Sequence, residues 1–197
     1  MKDKIVAYFS RIAPLTAEEA EAVKSSSVIK EYKKGTEILR VGQVSNNTYL
    51  VLKGLVRQYH LSEGEEKVSA FFVEDDWVIS LNDPENPQPS PHSWVCEEDC
   101  TLLIGDDASA NDLFAKFPRL ESIARRVLET TFLDYQRKVA AYLADAPEQR
   151  YLRLQESNSI LLQRVPQYQL ASYLGVKPES LSRIRKRLAN KKSPVTT

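Results

Sequence analysis

Cysteine, histidine and methionine are scarce in this sequence. Its 197 residues include two cysteines, two histidines and one methionine. A cysteine-ligated iron–sulfur cluster needs four thiolate ligands, so the cysteine count excludes one. At this count and spacing we interpret Cys96 and Cys100 as buried or incidental thiols of a reducing compartment, and we expect no metal site that combines them with His60 and His92.

Long apolar runs and catalytic motifs are also missing. No run approaches the ~20 apolar residues of a membrane-spanning helix. The N-terminus has no signal-peptide core, because Lys4, Ser10 and Arg11 interrupt it. We therefore expect a cytoplasmic protein without a membrane partner. The chain has no HExxH, no phosphate-binding glycine loop and no nucleophile–base or carboxylate pair placed by a motif, so no catalytic residue and no enzyme is expected.

Net charge is absent from the whole chain but not from its parts. The 27 basic residues balance the 27 acidic residues. From residue 164 to the end, eight basic residues face Glu179 alone, a net charge of +7 that leaves −7 on residues 1–163. A basic segment on a mildly acidic body is typical of a surface that binds phosphate.

The basic segment begins with the pattern of a short helix and a tight turn. Gly175 follows directly after the periodic residues, as a glycine beyond a helix C-terminus commonly does. Val176 then follows as a buried plug. The apolar residues at helical spacing are Leu170, Ala171 and Leu174.

A second helix is predicted to start at Pro178, which has no N–H to lose at a first helical position. One face is an apolar stripe and the other is polar and basic, which is the layout of a helix-turn-helix. The alternative is an ordinary amphipathic hairpin whose basic face is only solvated. The stripe is Leu181, Ile184 and Leu188, and the opposite face is Glu179, Ser180, Ser182, Arg183, Lys186 and Arg187.

The first half of the chain predicts two helices followed by a β-rich region. Pro14 breaks the helical pattern of residues 1–25, and Thr16 opens a capping box for the second helix. From Ser27 to Gly105, short β runs between glycine turns favour an antiparallel barrel or roll. Four prolines make residues 82–91 a loop. The predicted strands are 37–41, 48–53, 55–60, 68–73, 93–96 and 101–104.

The pattern is helical from residue 111 onward. A short helix reaches Lys116, Pro118 opens a long one to Ala144, and another runs from Pro147 to Ser157. The wide apolar face of the long helix indicates burial on two sides, against the β-roll and against a partner chain, although packing on one side within a monomer stays open. Its two apolar rows are Ile123, Val127, Thr131, Tyr135, Val139 and Leu143, and Leu120, Ala124, Leu128 and Phe132.

With these pieces in order, the sequence resembles the Crp–Fnr family of bacterial transcription regulators over nearly its whole length. Residues 34–39, Gly42 and residues 49–57 are similar to the family's β-roll signature, and residues 170–184 to its helix-turn-helix. The resemblance implies an α+β fold with an N-terminal antiparallel β-roll (a double-stranded β-helix like that of cyclic-nucleotide-binding domains), a long dimerisation helix and a C-terminal winged helix-turn-helix. We expect three parts: 1–110, 111–145 and 146–197.

The resemblance also implies a homodimer that pairs through the helix over 118–144 and places two recognition helices in successive major grooves of near-palindromic DNA. RNA polymerase is a candidate partner. Glu179 and Arg183 match the family's glutamate and second arginine, whereas Pro178 replaces its first arginine. Arg183 has the chemistry to bind guanine O6 and N7, and Glu179 to accept from a cytosine amine or to serve as a first-turn carboxylate favoured by the helix dipole.

The remaining polar residues of this face divide by chemistry. Ser180 and Ser182 can reach a base or a phosphate, and Lys177, Lys186 and Arg187 are expected on phosphates, where they fix the register without reading the sequence.

The effector pocket departs from the family pattern. Relatives that bind cyclic AMP carry a Gly-Glu pair and an arginine next to Ser or Thr, which neutralise and orient the cyclic phosphate. Here the Gly-Glu positions hold Ile79 and Ser80, and the arginine position falls at Pro91 and His92, before Ser93. His92 is a weak cationic substitute because its ordinary pKa is ~6.5. The residues expected to face the adenine are Tyr135 and Gln136.

We therefore expect no response to cyclic AMP and no resident cofactor. A different class of function stays open: a receptor for a cyclic nucleotide or another small molecule, whose C-terminal domain contacts a protein instead of DNA.

Overall fold

The computed structural model describes residues 1–45, 47–79 and 85–192. Its helices are α1 (Lys2–Ile12), α2 (Ala17–Ser26), α3 (Asp107–Lys116), α4 (Pro118–Ala144), α5 (Pro147–Ser157), α6 (Leu161–Arg164), α7 (Gln167–Tyr173) and α8 (Pro178–Lys192). Its strands are β1 (Val28–Tyr32), β2 (Glu37–Leu39), β3 (Asn47–Lys53), β4 (Val56–Ser62), β5 (Glu65–Phe72), β6 (Trp77–Ile79), β7 (Ser93–Cys96) and β8 (Cys100–Asp106).

The capping box predicted at the start of α2 is present. Thr16 Oγ1 accepts the backbone N–H of Glu19 at 3.1 Å, and Glu19 Oε2 accepts the N–H of Thr16 at 2.8 Å. The same carboxylate accepts a bond from Arg119 Nη1 at 2.5 Å. Because Arg119 lies in the first turn of α4, Glu19 ties the cap of α2 to the start of the long helix.

The strands form two four-stranded sheets, in the orders β1-β8-β3-β6 and β2-β7-β4-β5. The pairs β1–β8, β2–β7, β3–β6, β3–β8 and β4–β7 are antiparallel. Each of the six predicted strands is present, the one over 93–96 with the predicted bounds and the other five with shifted ends, which confirms the prediction of an antiparallel roll. Two further strands, β1 and β6, were not predicted.

The apolar run of β3 is buried on both faces. Tyr49 and Val51 lie in a cluster formed by side chains of both sheets, whereas Leu50 and Leu52 belong to a second cluster with helices. Such two-sided burial explains why β3 shows no alternation of polar and apolar residues. The inner cluster is Leu39, Tyr49, Val51, Val56, Val78, Trp94, Cys96, Cys100 and Leu102, and the outer one is Ile5, Val23, Leu50, Leu52, Leu103, Leu120 and Ile123.

The long helix α4 is buried only near its N-terminus. Leu120 and Ile123 pack in the outer cluster, and Val127 is also buried. From Leu128 onward its large apolar side chains are exposed. Burial of one side of the helix is therefore confirmed for its first third. The predicted burial of the remaining apolar side chains against a partner chain stays a prediction.

The chain divides into two compact units. One contains residues 1–60 and 70–135, and the other contains residues 61–69 together with the chain from 136 onward. Between 147 and 192 every element is a helix. The strands of the predicted wing are therefore absent between residues 147 and 192, where residues 161–164 form the single turn α6 and bury Leu161.

The structure also shows the surroundings of the cysteines and part of the predicted loop. Cys96 and Cys100 are buried and free, as the sequence predicted. Of the predicted loop, residues 82–84 lie outside the described residues, and 85–91 contain neither helix nor strand. In the described ranges no helix is long and apolar enough to cross a membrane. Among the same residues no group of three or more His, Cys, Asp or Glu side chains is placed to hold a metal ion.

Candidate nucleic-acid interface

The turn between α7 and α8 has the geometry of a glycine C-cap. Gly175 has φ of 68°, in the left-handed region. Its N–H donates to the carbonyl of Ser172 at 3.0 Å, and the N–H of Val176 donates to the carbonyl of Ala171 at 2.9 Å. These two bonds form a Schellman motif, which satisfies the last carbonyls of α7 and reverses the chain before Pro178.

Apolar packing then fixes α8 against α7. The six side chains predicted to line the inside of the helix pair are all buried, which confirms that prediction, whereas Val176 is only half-buried and is a weaker plug than expected. The buried set is Leu170, Ala171, Leu174, Leu181, Ile184 and Leu188.

Arg150, in α5, braces this turn from outside the helix pair. Its Nη1 donates to the carbonyl of Leu174 at 2.7 Å, and its Nε donates to the carbonyl of Asp145 at 3.0 Å. The guanidinium also lies 4.3 Å from the ring centroid of Tyr142. Three contacts of one side chain thus join the end of α4, the start of α5 and the C-terminus of α7.

The outer face of α8 carries the predicted polar and basic side chains. Arg183, Lys186, Arg187 and Asn190 line one shallow concave surface. The side chains of Lys177, Glu179 and Ser182 are exposed, and Ser180 is half-buried. A single helix brings most of the predicted set together, and a concave basic surface can take the phosphates and base edges of a nucleic acid.

Two of these side chains have partners within the protein. Arg183 Nη2 donates to Ser180 Oγ at 3.2 Å, so Ser180 orients the arginine expected to read a base. Arg187 pairs with Glu148 of α5 and is less available to a phosphate than expected.

Sequence reasoning missed Glu148 and Asn190. Asn190 follows Arg183 by two helical turns on the same face, a spacing that could have revealed it. The Glu148–Arg187 pair joins residues 39 apart in sequence and gave no local signal.

The predicted effector residues that the structure describes have different environments. Ile79 is half-buried at the end of β6, and Ser80 lies outside the described residues. The hydroxyl of Ser93 is occupied by the backbone N–H of Val41, at 3.0 Å. Tyr135 is 63% exposed and Gln136 is exposed, so neither is buried against the others.

Aromatic side chains occupy the inside of the roll. Trp94 is fully buried, donates from Nε1 to Gln58 Oε1 at 2.8 Å, and packs edge-on against Tyr49. The ring of His92 lies 5.4 Å from that of Trp94, and its Nε2 is buried with no hydrogen-bond partner among the residues that the structure describes. Burial, reinforced by the charge of His60, lowers the pKa of His92. His92 is therefore a poor substitute for an arginine that must stay cationic.

The fold and the helix pair define a class: a roll of the cyclic-nucleotide-binding type followed by a long helix and a helical C-terminal unit. Residues 29–117 match the family model of the cyclic nucleotide-binding domain. The anaerobic regulatory protein of Pasteurella multocida is 24% identical over 196 residues, which cover 89% of this chain and 69% of that protein.

Solved structures agree with this class. CLP of Xanthomonas campestris, described as a c-di-GMP-responsive global regulator, has a TM-score of 0.67 at 20% identity and covers 89% of this chain and 93% of its own. FixK2 of Bradyrhizobium japonicum has a TM-score of 0.66 at 21% identity over 84% of this chain and 85% of its own. At these identities the structures show the shared fold. Together with the relative and the family model, they confirm the resemblance to the Crp–Fnr family of transcription regulators.

The geometry of the turn predicts the effect of Gly175→Ala. A Cβ there would lie 2.5 Å from Tyr142 Oη and 2.9 Å from Arg150 Nη1. We expect a loss of unfolding free energy of about 2–4 kcal/mol, from backbone strain and from the displaced brace. Gly35→Ala is the matched control, because its φ is 83° with nothing within 4 Å of the added Cβ, and strain alone should cost about 1–2 kcal/mol. Denaturant unfolding measures both, and equal losses would contradict the close approach at Gly175.

Proposed function

We propose that this chain is a homodimeric, sequence-specific DNA-binding transcription regulator of the Crp–Fnr type. The observation that carries the proposal is the exposed basic face of α8, held by a glycine-capped turn on a packed first helix. The relatives support the general class, because one is named an anaerobic regulatory protein and another a global regulator that acts on gene expression. The finer roles below are inferred from the chemistry of the side chains.

The face of α8 provides both kinds of contact that DNA recognition needs. Arg183, oriented by Ser180, has the bidentate geometry that suits guanine, and Glu179 can accept from a cytosine amine. Lys177 and Lys186 supply charge for phosphates, which sets affinity and register but not sequence. Ser182 can serve either kind of contact. Arg187 contributes less, because Glu148 already neutralises it.

The exposed half of α4 supports a second copy of the chain as its partner. Leu128, Phe132, Tyr135, Val139 and Tyr142 follow one another at spacings of four, three, four and three, and they are 39–63% exposed. This is the spacing of a coiled-coil seam, in which two helices pair along one apolar stripe. These spacings differ from those of the predicted row that ended at Leu143, in which each residue followed the last by four.

We further propose that the roll does not bind cyclic AMP. The support is the side chain of Trp94, which fills the space between the sheets together with Tyr49 and His92. Ile79 brings no charge or backbone turn to a phosphate, and the hydroxyl of Ser93 already has a backbone partner.

The functional division follows from these assignments. Residues 1–110 form the roll with its N-terminal helices, 111–145 the dimerisation segment, and 146–197 the DNA-binding part. We place the protein in the cytoplasm, where DNA and RNA polymerase are available to it.

Two substitutions in α8 test the DNA-binding role. Arg183→Ala should weaken binding to the selected DNA site by ~1–3 kcal/mol and relax the preference at one base position. Lys186→Ala should weaken binding to all sequences alike and reduce the salt slope by about one. Selection from a random duplex library, followed by anisotropy titrations at several salt concentrations, measures both effects.

If Arg183→Ala reduces binding to selected and random DNA equally, Arg183 does not read a base. If the purified protein selects no sequence, the alternative of a protein-contacting receptor is favoured.

The seam predicts the effect of Phe132→Glu. A charge at the centre of an apolar helix pair should weaken dimerisation by about 2 kcal/mol or more. Val44→Glu is a control at an apolar side chain of similar exposure outside α4. Sedimentation equilibrium should give a dimer for the wild type and for the control, and a monomer for Phe132→Glu. A wild-type monomer at all concentrations would refute the dimer.

Titration calorimetry with cyclic AMP and with cyclic GMP tests the roll. At low salt we expect no heat and no thermal stabilisation from either nucleotide, because Ile79 brings no charge to a cyclic phosphate and the hydroxyl of Ser93 already has a backbone partner. Micromolar binding would mean that the pocket opens elsewhere in the roll, and the protein would then be a nucleotide-gated regulator.

A further inference from the structure

The tip of the β4–β5 hairpin, residues 61–69, belongs to the same compact unit as the helix pair. The strand β5 is at the edge of its sheet, next to β4 alone. The outer N–H and C=O groups of an edge strand need partners from elsewhere. In this hairpin the partner is a side chain of α7.

Ser172 of α7 satisfies two of these edge groups with one hydroxyl. Its Oγ accepts the N–H of Val68 at 2.9 Å and donates to the carbonyl of Glu66 at 3.3 Å. Val68 is buried, whereas Lys67 and Ser69 on either side of it are exposed. The tip is therefore docked on α7 through its backbone edge and one apolar side chain.

The docked tip is acidic. It carries Glu63, Glu65 and Glu66 against Lys67 alone, a net charge of −2. The hydrogen bond from Lys67 and, to a smaller extent, the charge of Lys177 hold the pKa of Glu65 below its ordinary value. Ser172 thus holds this acidic tip three residues before Gly175 and five residues before Lys177, a lysine that we assign to a DNA phosphate.

The acidic tip is bonded to the helix that leads through Gly175 into the basic face of α8. Carboxylates near such a face lower the positive potential that attracts the nucleic acid backbone. We propose that the hairpin tip docks on the helix pair through the hydrogen bonds of Ser172, a contact that we call the latch, and that this docking opposes DNA binding. This inference rests on the function proposed above, and it adds a named segment of the chain that regulates access to the DNA-binding face.

Ser172→Ala tests the latch. It removes the bridging hydroxyl without adding volume, and its matched control is Ser157→Ala in α5, where the hydroxyl bonds only its own helix, at Arg153. Amide hydrogen exchange at Val68 is measured in the free proteins. Anisotropy with a labelled mixed-sequence duplex and with the selected site measures affinity. We expect faster exchange at Val68 and about 2- to 10-fold tighter binding to both duplexes for Ser172→Ala, the range that one hydrogen bond carries.

Glu65→Gln is a second variant that leaves Ser172 in place. It should also tighten DNA binding, more at low salt than at high salt, since the effect is electrostatic. Glu31→Gln, an exposed carboxylate of β1, is its control. Circular dichroism shows whether Ser172→Ala destabilises the helix pair. If it does, Glu65→Gln and its control Glu31→Gln still test whether the charge of the tip opposes DNA binding.

The outcomes separate the two proposals. Unchanged exchange at Val68 in Ser172→Ala would overturn the latch, whatever the DNA results. Faster exchange with unchanged or weaker DNA binding would show that docking does not oppose DNA. If the wild type prefers no sequence but the variants still bind the mixed duplex more tightly, the function as a sequence-specific regulator fails while the latch stands. If neither protein binds any duplex, both proposals fail.

Discussion

Arg150 makes the contacts on which the geometry of the helix pair depends. A Schellman turn leaves a backbone carbonyl at the end of α7 that needs a donor, and the guanidinium supplies it at Leu174 while it also bonds Asp145 and stacks on Tyr142. Arginine suits this position because its planar fork offers several donors in fixed directions and a flat face for an aromatic ring. A side chain outside the helix pair thus helps to hold the turn from which α8 starts.

The interior of the roll is packed with its own aromatic side chains. A fold that encloses ligands in some proteins must be filled by its own side chains when no ligand is bound, because empty apolar cavities are costly. Trp94 and Tyr49 do this here, and the indole N–H has a partner in Gln58, so a large aromatic side chain is buried without leaving a donor unsatisfied. The fold of the roll therefore says little about which ligand it takes.

Features that depend on neighbouring residues could be predicted from the sequence, whereas features that depend on long-range contacts could not. The capping box at Thr16 and the glycine turn at Gly175 involve residues three to five apart, so their chemistry is visible in the sequence. The strand β1 was missed because its residues do not alternate, and its conformation depends on pairing with β8, more than 60 residues away.

The candidate site shows the same limit. The inner stripe and outer face of α8 followed from periodicity, but the pairing of Arg187 with Glu148 and the exposure of Tyr135 depend on where distant elements lie. Tyr135 and Gln136 were assigned to a pocket by counting positions from a family pattern. Such counting does not show where α4 stops being buried, which is at Val127 within the single chain.

Tyr142 contributes both to the turn before α8 and to the apolar seam of α4. Its ring supports Arg150 and faces Gly175 at the turn, and it is also the last member of the apolar seam of α4. In a dimer that pairs along this seam, a partner helix would press on the same ring that braces the turn. Self-association and the orientation of α8 would then be thermodynamically linked, and by reciprocity whatever fixes α8 would also tighten the dimer. A mutation at the far end of a dimerisation helix could for this reason have the phenotype of a DNA-binding mutation.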